Sequence, residues 1–259
     1  MGRMQLVELE DLPWFPALIR DFATDYLQFA IALGKPYAPI LERLLGALEK
    51  TDARRIVDLC SGGGGPWPTM VDVLPAGVSV QLTDKYPNVN ALQRVEQLGI
   101  ANISYAREPV DATAVPADLG GFRTLYSSFH HFAPDGASAI LADAVFRREG
   151  IGIFEATQRS APAIFTIFAA IVILLLCTPF IRPFRITRIL FTYLVPIVPF
   201  IVLFDGIVSC LRTYSPAELK TLVEGVPDNE TYDWEIGEQS GGRNPIPITY
   251  LIGHLRESA

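Results

Sequence analysis

Between Arg55 and Glu155 five short apolar runs follow one another, and this pattern limits the chain to very few architectures. The runs are Arg55 to Leu59, Val78 to Thr83, Ile103 to Ala106, Phe122 to Ser127 and Ile151 to Glu155. Between them, apolar residues recur at helical intervals around 69–74, 89–98 and 137–148. Strands that are apolar on both faces and joined through helices form a parallel sheet covered by those helices. Two further runs, Tyr232 to Gly237 and Pro247 to Leu255, read as closing strands in a hairpin, behind a helix over 215–224 that Ser215 caps and Pro216 opens. Upstream, apolar residues at helical spacing from Leu12 to Leu48 predict two or three helices, interrupted at Gly34-Lys35-Pro36. The stretch from Gln239 to Pro245 reads as a turn-rich loop.

The first run leads straight into glycines: Ile56-Val57-Asp58-Leu59-Cys60-Ser61-Gly62-Gly63-Gly64-Gly65. Glycine admits positive φ and close approach of a ligand to the backbone, and a helix N-terminus beyond the loop offers free N–H groups. A phosphate-binding P-loop would need a Gly-Lys-Ser/Thr ending, which is absent. A dinucleotide fingerprint would need its third glycine where Trp67 stands, and Pro66 and Pro68 flank that position. Both observations speak against a nicotinamide-dependent oxidoreductase.

The segment resembles the first motif of class I S-adenosylmethionine (SAM) dependent methyltransferases. Asp58, Gly62 and Gly64 match it, and Cys60 replaces the motif's first glycine. The resemblance extends to Asp84 after the second strand, to Val110-Asp111-Ala112 after the third, and to the Leu125–Phe132 segment with its His130-His131 pair. It implies a Rossmann-like, seven-stranded, mostly parallel sheet with helices on both faces, and SAM as cofactor. It further implies that Gly62 and Gly64, with Cys60, lie beside the donor's amino-acid part, that Asp84 holds the ribose, and that Asp111 and Ala112 meet the adenine. Asp58 then orders the loop or meets the donor's ammonium through water. A carboxylate at position 84 can accept from both ribose hydroxyls, which is a reason independent of the family.

Methyl transfer is an in-line displacement, so alignment and exclusion of water are the main demands on the protein. Where the acceptor carries a proton, His130 and His131 are the candidate bases, and Glu155, closing the fifth strand, is a candidate to bind the acceptor or a base. The alternative is that the histidines only line the donor pocket.

The fifth strand is followed by a different kind of sequence. Residues 160–181 and 189–204 carry no charge, and Arg182, Arg185 and Arg188 lie between them with no acid. As helices they would run about 33 Å and 24 Å, beside a hydrocarbon core of about 30 Å. Strands on either side of this insertion belong to one sheet, so both of its ends lie on one side of any bilayer. A complete double span would carry three arginines to the far face, against the positive-inside tendency. The expectation is an apolar helical hairpin over 160–211, dipping into one leaflet through 160–204, with its arginines returning to anionic headgroups and Asp205 and Arg212 marking the water boundary. A large buried helical pair or a dimer interface in a soluble enzyme is the competing reading, and the absence of a polar face weighs against it.

The chain thus divides into an N-terminal helical region (1–50), a SAM-binding core (51–159), the insertion (160–211) and a completion of the core (212–259). A net charge of -7 argues against a nucleic-acid partner. Cys60, Cys177 and Cys210 fit neither a zinc motif nor a disulfide framework, so no metal is expected and the cytoplasmic side of a membrane is the expected location. The segment 1–10 reads as neither a signal peptide nor, with Leu6 where Ser or Thr is wanted, a myristoylation site. The expected function is methyl transfer from SAM to a lipophilic small molecule. The alternative is a non-catalytic membrane adaptor that keeps the fold.

Overall fold

The strand runs assemble into one seven-stranded sheet in a computed structural model that describes residues 2–87, 89–241 and 244–256. The strands are β1 (Arg55–Asp58), β2 (Ser79–Leu82), β3 (Ile103–Tyr105), β4 (Phe122–Tyr126), β5 (Ile151–Glu155), β6 (Tyr232–Gly241) and β7 (Asn244–Leu255). Their order is β3-β2-β1-β4-β5-β7-β6, with the first five parallel and β7 antiparallel to both β5 and β6. A short connection between β6 and β7 can only make a hairpin, so β7 enters beside β5, with Ile153 opposite Leu251. Gly242 and Arg243 of the expected turn lie outside the described residues.

Helices cover both faces. Nine are named in chain order: α1 (Ala17–Gly34), α2 (Leu41–Lys50), α3 (Trp67–Met70), α4 (Val89–Leu98), α5 (Pro134–Phe146), α6 (Ala161–Cys177), α7 (Ile186–Ile189), α8 (Ile197–Arg212) and α9 (Pro216–Glu224). Adjacent strand residues point to opposite faces, so Ile56 packs with Leu44, Leu48, Val80 and Ile252 on one side, while Val57 packs with Ile140, Leu141, Leu219 and Val223 on the other. Strand order reverses between β1 and β4, and the crevice beyond the carboxyl ends of those strands is where an open α/β sheet binds its ligand.

The insertion departs from a simple hairpin. Ala161–Phe180 is long and apolar enough to cross a membrane, with a mean hydropathy of 2.6 and only 17% of its most apolar window buried. The second arm is not one helix. A π-helical turn over Leu190–Leu194 follows α7, and α8 leaves it at 73°. Pro196 stands at the break, where it supplies no N–H and cannot continue the helix. Both arms pack on α1: Leu174, Ile181, Val198, Ile201 and Val202 meet Phe15, Ile19, Phe22 and Tyr26 in a separate apolar cluster.

One arginine of the turn is used differently from the expectation, while Arg182 is exposed. Arg188 is 1% exposed and donates to Asp25 Oδ2 of α1 at 2.7 Å and to the Ile181 and Pro183 carbonyls at 2.5 and 2.8 Å. Arg94 of α4 pairs with the other oxygen of Asp25, and Arg185 lies 4.0 Å from Asp21. A buried cation needs a buried counter-charge, and α1 provides it, so Arg188 faces the protein rather than headgroups. Asp205 and Arg212 are buried as well, and mark no water boundary.

Candidate functional site

The chain turns sharply where β1 ends. Cys60, Gly62, Gly64 and Gly65 have φ of 57°, 52°, 111° and 53°, a succession that glycine tolerates and other residues rarely adopt. Asp58 staples this bend from below: Oδ2 accepts from Ser61 Oγ and Oδ1 from Thr124 Oγ1, both at 2.6 Å. Burial pushes the Asp58 carboxyl up to about 6, against the hydrogen bonds from Ser61 and Thr124. Of the two roles expected for Asp58, these contacts are those of ordering the loop.

Asp84 leaves the end of β2 towards the same bend. Its Oδ2 accepts from the Gly62 N–H at 2.9 Å and its Oδ1 from the Tyr86 N–H at 2.8 Å. Burial raises the Asp84 carboxyl above its ordinary value. Tyr105 from β3 closes the bend by donating to the Gly62 carbonyl at 2.9 Å. A Cβ built on Gly62 would meet nothing within 4 Å, which leaves open space beside the Asp84 carboxylate.

Gly63 faces the opposite way, into α1. A Cβ there would stand 2.5 Å from Gln28 Cγ and 2.9 Å from Thr24 Cγ2. In the orientation that satisfies both groups, the Gln28 amide donates to the Gly65 carbonyl at 3.2 Å and accepts from the Gly65 N–H at 2.9 Å. The first long helix therefore lies on the glycine loop and uses part of its backbone. A concavity of about 590 Å³ lies elsewhere, between α2 and the β6–β7 hairpin, lined by Glu42, Arg43, Trp234 and His254.

Asp111 stands at the rim. Lys85 Nζ donates to its Oδ2 at 2.8 Å, and the Thr113 N–H and hydroxyl donate to Oδ1 at 2.9 and 2.7 Å. The Lys85 ammonium and the Thr113 bonds hold the Asp111 carboxyl down at about 2. Ala112 beside it is buried.

Beyond β4 a short 3-10 turn, Phe129–His131, presents both histidines. Glu155 closes β5 beneath it and accepts from the Phe129 and His130 N–H groups at 2.8 and 3.2 Å and from His130 Nδ1 at 2.6 Å. His131 Nδ1 meets Asp11 Oδ1 at 2.9 Å, and the two rings stack with centroids 4.5 Å apart. The turn follows the carboxyl end of β4, which places the pair at the glycine-loop end of the sheet.

The sequence gives no local signal for three further members of this cluster. Glu8, buried in the segment before α1, faces both rings, and burial pushes its carboxyl up to about 7. Burial would raise Asp11, but hydrogen bonds from His131 and Arg212 hold it at about 2. Arg212, at the end of α8, donates to the carbonyls of His130 and His131 and to Asp11 Oδ2. A long loop closure separates each of these from its partner, and only the folded sheet brings them together.

No protein-family model matches the chain, and no curated protein matches it in sequence. Solved structures do. The plantazolicin methyltransferase BpumL in complex with SAH superposes with a TM-score of 0.61 at 10% identity, over 92% of this chain and 90% of that one. The plantazolicin methyltransferase BamL, in complex with a triazolic desmethylPZN analog and SAH, gives 0.55 at 10% identity over 93% and 99%. The mitomycin 7-O-methyltransferase MmcR gives 0.51 at 12% identity over 96% and 70%. With the strand order and the reversed seventh strand, these superpositions show that the chain has the class I methyltransferase fold.

Proposed function

We propose that the protein is a SAM-dependent methyltransferase acting on a lipophilic acceptor at a membrane surface. The observation that carries the reading is the Gly62 N–H bound to the Asp84 carboxylate at the switch point of this sheet, with open space beside Gly62. Asp84 offers its carboxylate to the ribose hydroxyls, Gly62, Gly64 and Cys60 let the backbone approach the donor's amino-acid part, and Asp111 and Ala112 stand at the adenine end. SAM supplies an electrophilic methyl group when bound. The chain's own contribution is to align the acceptor, exclude water and take up the acceptor's proton.

His130 is built for the last task. Glu155 binds its Nδ1 and so directs Nε2 away, and an imidazolium formed there would lie against the Glu155 carboxylate. Glu155 acts through His130 and is a positioning residue. His131, oriented by Asp11, is the second candidate base.

Membrane association is supported by side chains that α6 and the bent second arm leave in the open. Phe165, Phe168, Leu176, Phe180, Ile186, Leu194 and Phe200 are each 49% exposed or more, and an apolar patch of this extent marks a membrane or protein interface. The Arg188–Asp25–Arg94 network ties the turn of the insertion to α1 and α4. That tie favours an insertion lying along the enzyme and dipping into one leaflet over one that projects through a bilayer.

Calorimetric titration with SAM tests the donor site. Loss of two charge-assisted hydrogen bonds in Asp84→Ala is expected to weaken binding by about 100-fold or more. Radiolabelled SAM with membrane extracts then identifies the product. The closed contact of Gln28 with Gly65 favours one second reading, the non-catalytic adaptor. Absence of SAM binding in both the wild type and Gln28→Ala, which uncovers the loop, would establish that reading instead.

A further inference from the structure

The geometry points to a divalent-metal site of the zinc class formed by Glu8, His130 and His131. Each offers one ligand atom, and the three atoms lie within 4.8 Å of one another. Glu8 Oε1 stands 3.6 Å from His130 Nε2, and Glu8 Oε2 stands 3.6 Å from His131 Nε2. Ligands bonded to tetrahedral zinc at about 2.0–2.2 Å are about 3.3 Å apart. Bringing all three donors to this spacing requires the two rings, now stacked, to turn towards one ion.

Two observations separate this cluster from a chance meeting of polar groups. Each ring already has its Nδ1 on a carboxylate, Glu155 at 2.6 Å for His130 and Asp11 at 2.9 Å for His131. Such a bond fixes the Nδ1–H tautomer and aims the Nε2 lone pair, and it is the outer-shell support that metal-binding histidines use. In addition, His130 Nε2 and Glu8 Oε1 have no hydrogen-bond partner among the described residues although their side chains are only 3% and 5% exposed. Two buried acceptors facing each other are costly unless a proton or a cation joins them.

Arg212 is ion-paired with Glu8 at 3.4 Å, while its hydrogen bonds go to the His130 and His131 carbonyls and to Asp11, so the gap between Glu8 and His130 holds no hydrogen bond among the described residues.

Two histidines and a glutamate with a fourth position open is a catalytic rather than a structural ligand set. Resting on the transferase reading, the open position would take an oxygen of the acceptor, so the substrate class is a lipophilic hydroxyl compound. An ion held there would lower the pKa of the bound hydroxyl, whose proton would pass to water as the oxygen takes the methyl group of SAM and SAH leaves.

The full chain, purified in detergent and stripped with a chelator, is titrated with Zn²⁺ by calorimetry and with Co²⁺ by visible absorption. SAM binding is measured on the same samples. One ion per chain is expected, with binding lost in Glu8→Gln and His131→Ala and weakened about 10–100-fold in Asp11→Asn. His131 is half-buried, and circular dichroism checks that its variant is folded. Failure to bind one ion, or binding unchanged in Glu8→Gln and His131→Ala, overturns the site. Metal binding without SAM binding leaves the site standing and removes only the transferase reading.

Discussion

Replacing Asp25 by alanine withdraws the carboxylate beneath the insertion, and its cost can be worked from the contacts. Asp25 and Arg188 are 3% and 1% exposed, with Arg188 Nη1 2.7 Å from Oδ2 and Arg94 on the other oxygen. After the substitution Arg188 retains only the Ile181 and Pro183 carbonyls, so a guanidinium stays buried without a counter-charge. Breaking a buried pair from one side costs about 3–5 kcal/mol. In a chain of this size about 1 kcal/mol moves the Tm by about 2–4 °C, so thermal unfolding in detergent is expected to fall by roughly 6–20 °C. The paired replacement Asp25→Leu with Arg188→Met removes both charges and is expected to recover most of the loss, because an apolar pair often matches a buried ion pair. Limited proteolysis should cut Asp25→Ala near 182–188 before the rest of the chain. A fall below about 2 °C, or a paired variant no better than the single one, would refute the claim that this carboxylate holds the insertion against α1.

Further outcomes follow from the same contacts. Gly63→Ala places a Cβ against Gln28 and Thr24, and at about 1–3 kcal/mol for overpacking it should lower the Tm, with Gln28→Ala restoring part of the loss in a double-mutant cycle. Burial holds Asp58 at about 6, above its unfolded value of 3.8, so its contribution to stability is full below 3.8 and is lost as pH rises to about 6. That difference amounts to about 3 kcal/mol, and Asp58→Asn should flatten the dependence of chemical denaturation on pH across this window. Asp111→Asn removes a partly exposed pair with Lys85 and should change stability by less than about 1 kcal/mol, while weaker SAM binding in that variant would support the adenine role. Exchange of Phe165, Phe168 and Phe180 for serine should reduce flotation with anionic vesicles and leave the circular dichroism spectrum intact; unchanged flotation would count against a membrane-facing insertion.

What the sequence makes legible is what is encoded locally. The runs at 55–58, 79–82, 103–105, 122–126 and 151–155 stand out because a strand covered on both faces is apolar throughout, and the glycines after β1 because the bend demands positive φ. Asp84 is legible from its place one strand over. Pro196 is visible as well, but not that α8 would leave the preceding turn at 73°, since packing on α1 sets that direction. Least legible are Glu8 and Asp25, acids in unremarkable surroundings whose partners lie 122 and 163 residues away in the chain. Long-range pairing of single charges leaves no periodicity to read.

One of these pairings, Glu8 with Arg212, leads to α8, and that helix ties the insertion to the site. Near its start α8 packs Val198, Ile201 and Val202 on α1, the helix that lies over the glycine loop. Midway, Asp205 accepts from the Leu9 and Glu10 N–H groups at 2.7 and 3.1 Å and so holds the segment that carries Glu8. At its end Arg212 grips the carbonyls of His130 and His131. One helix thus touches the cover of the proposed donor site, the strap over the histidines and the histidine turn itself, while Phe200 and Phe204 of the same helix face outward.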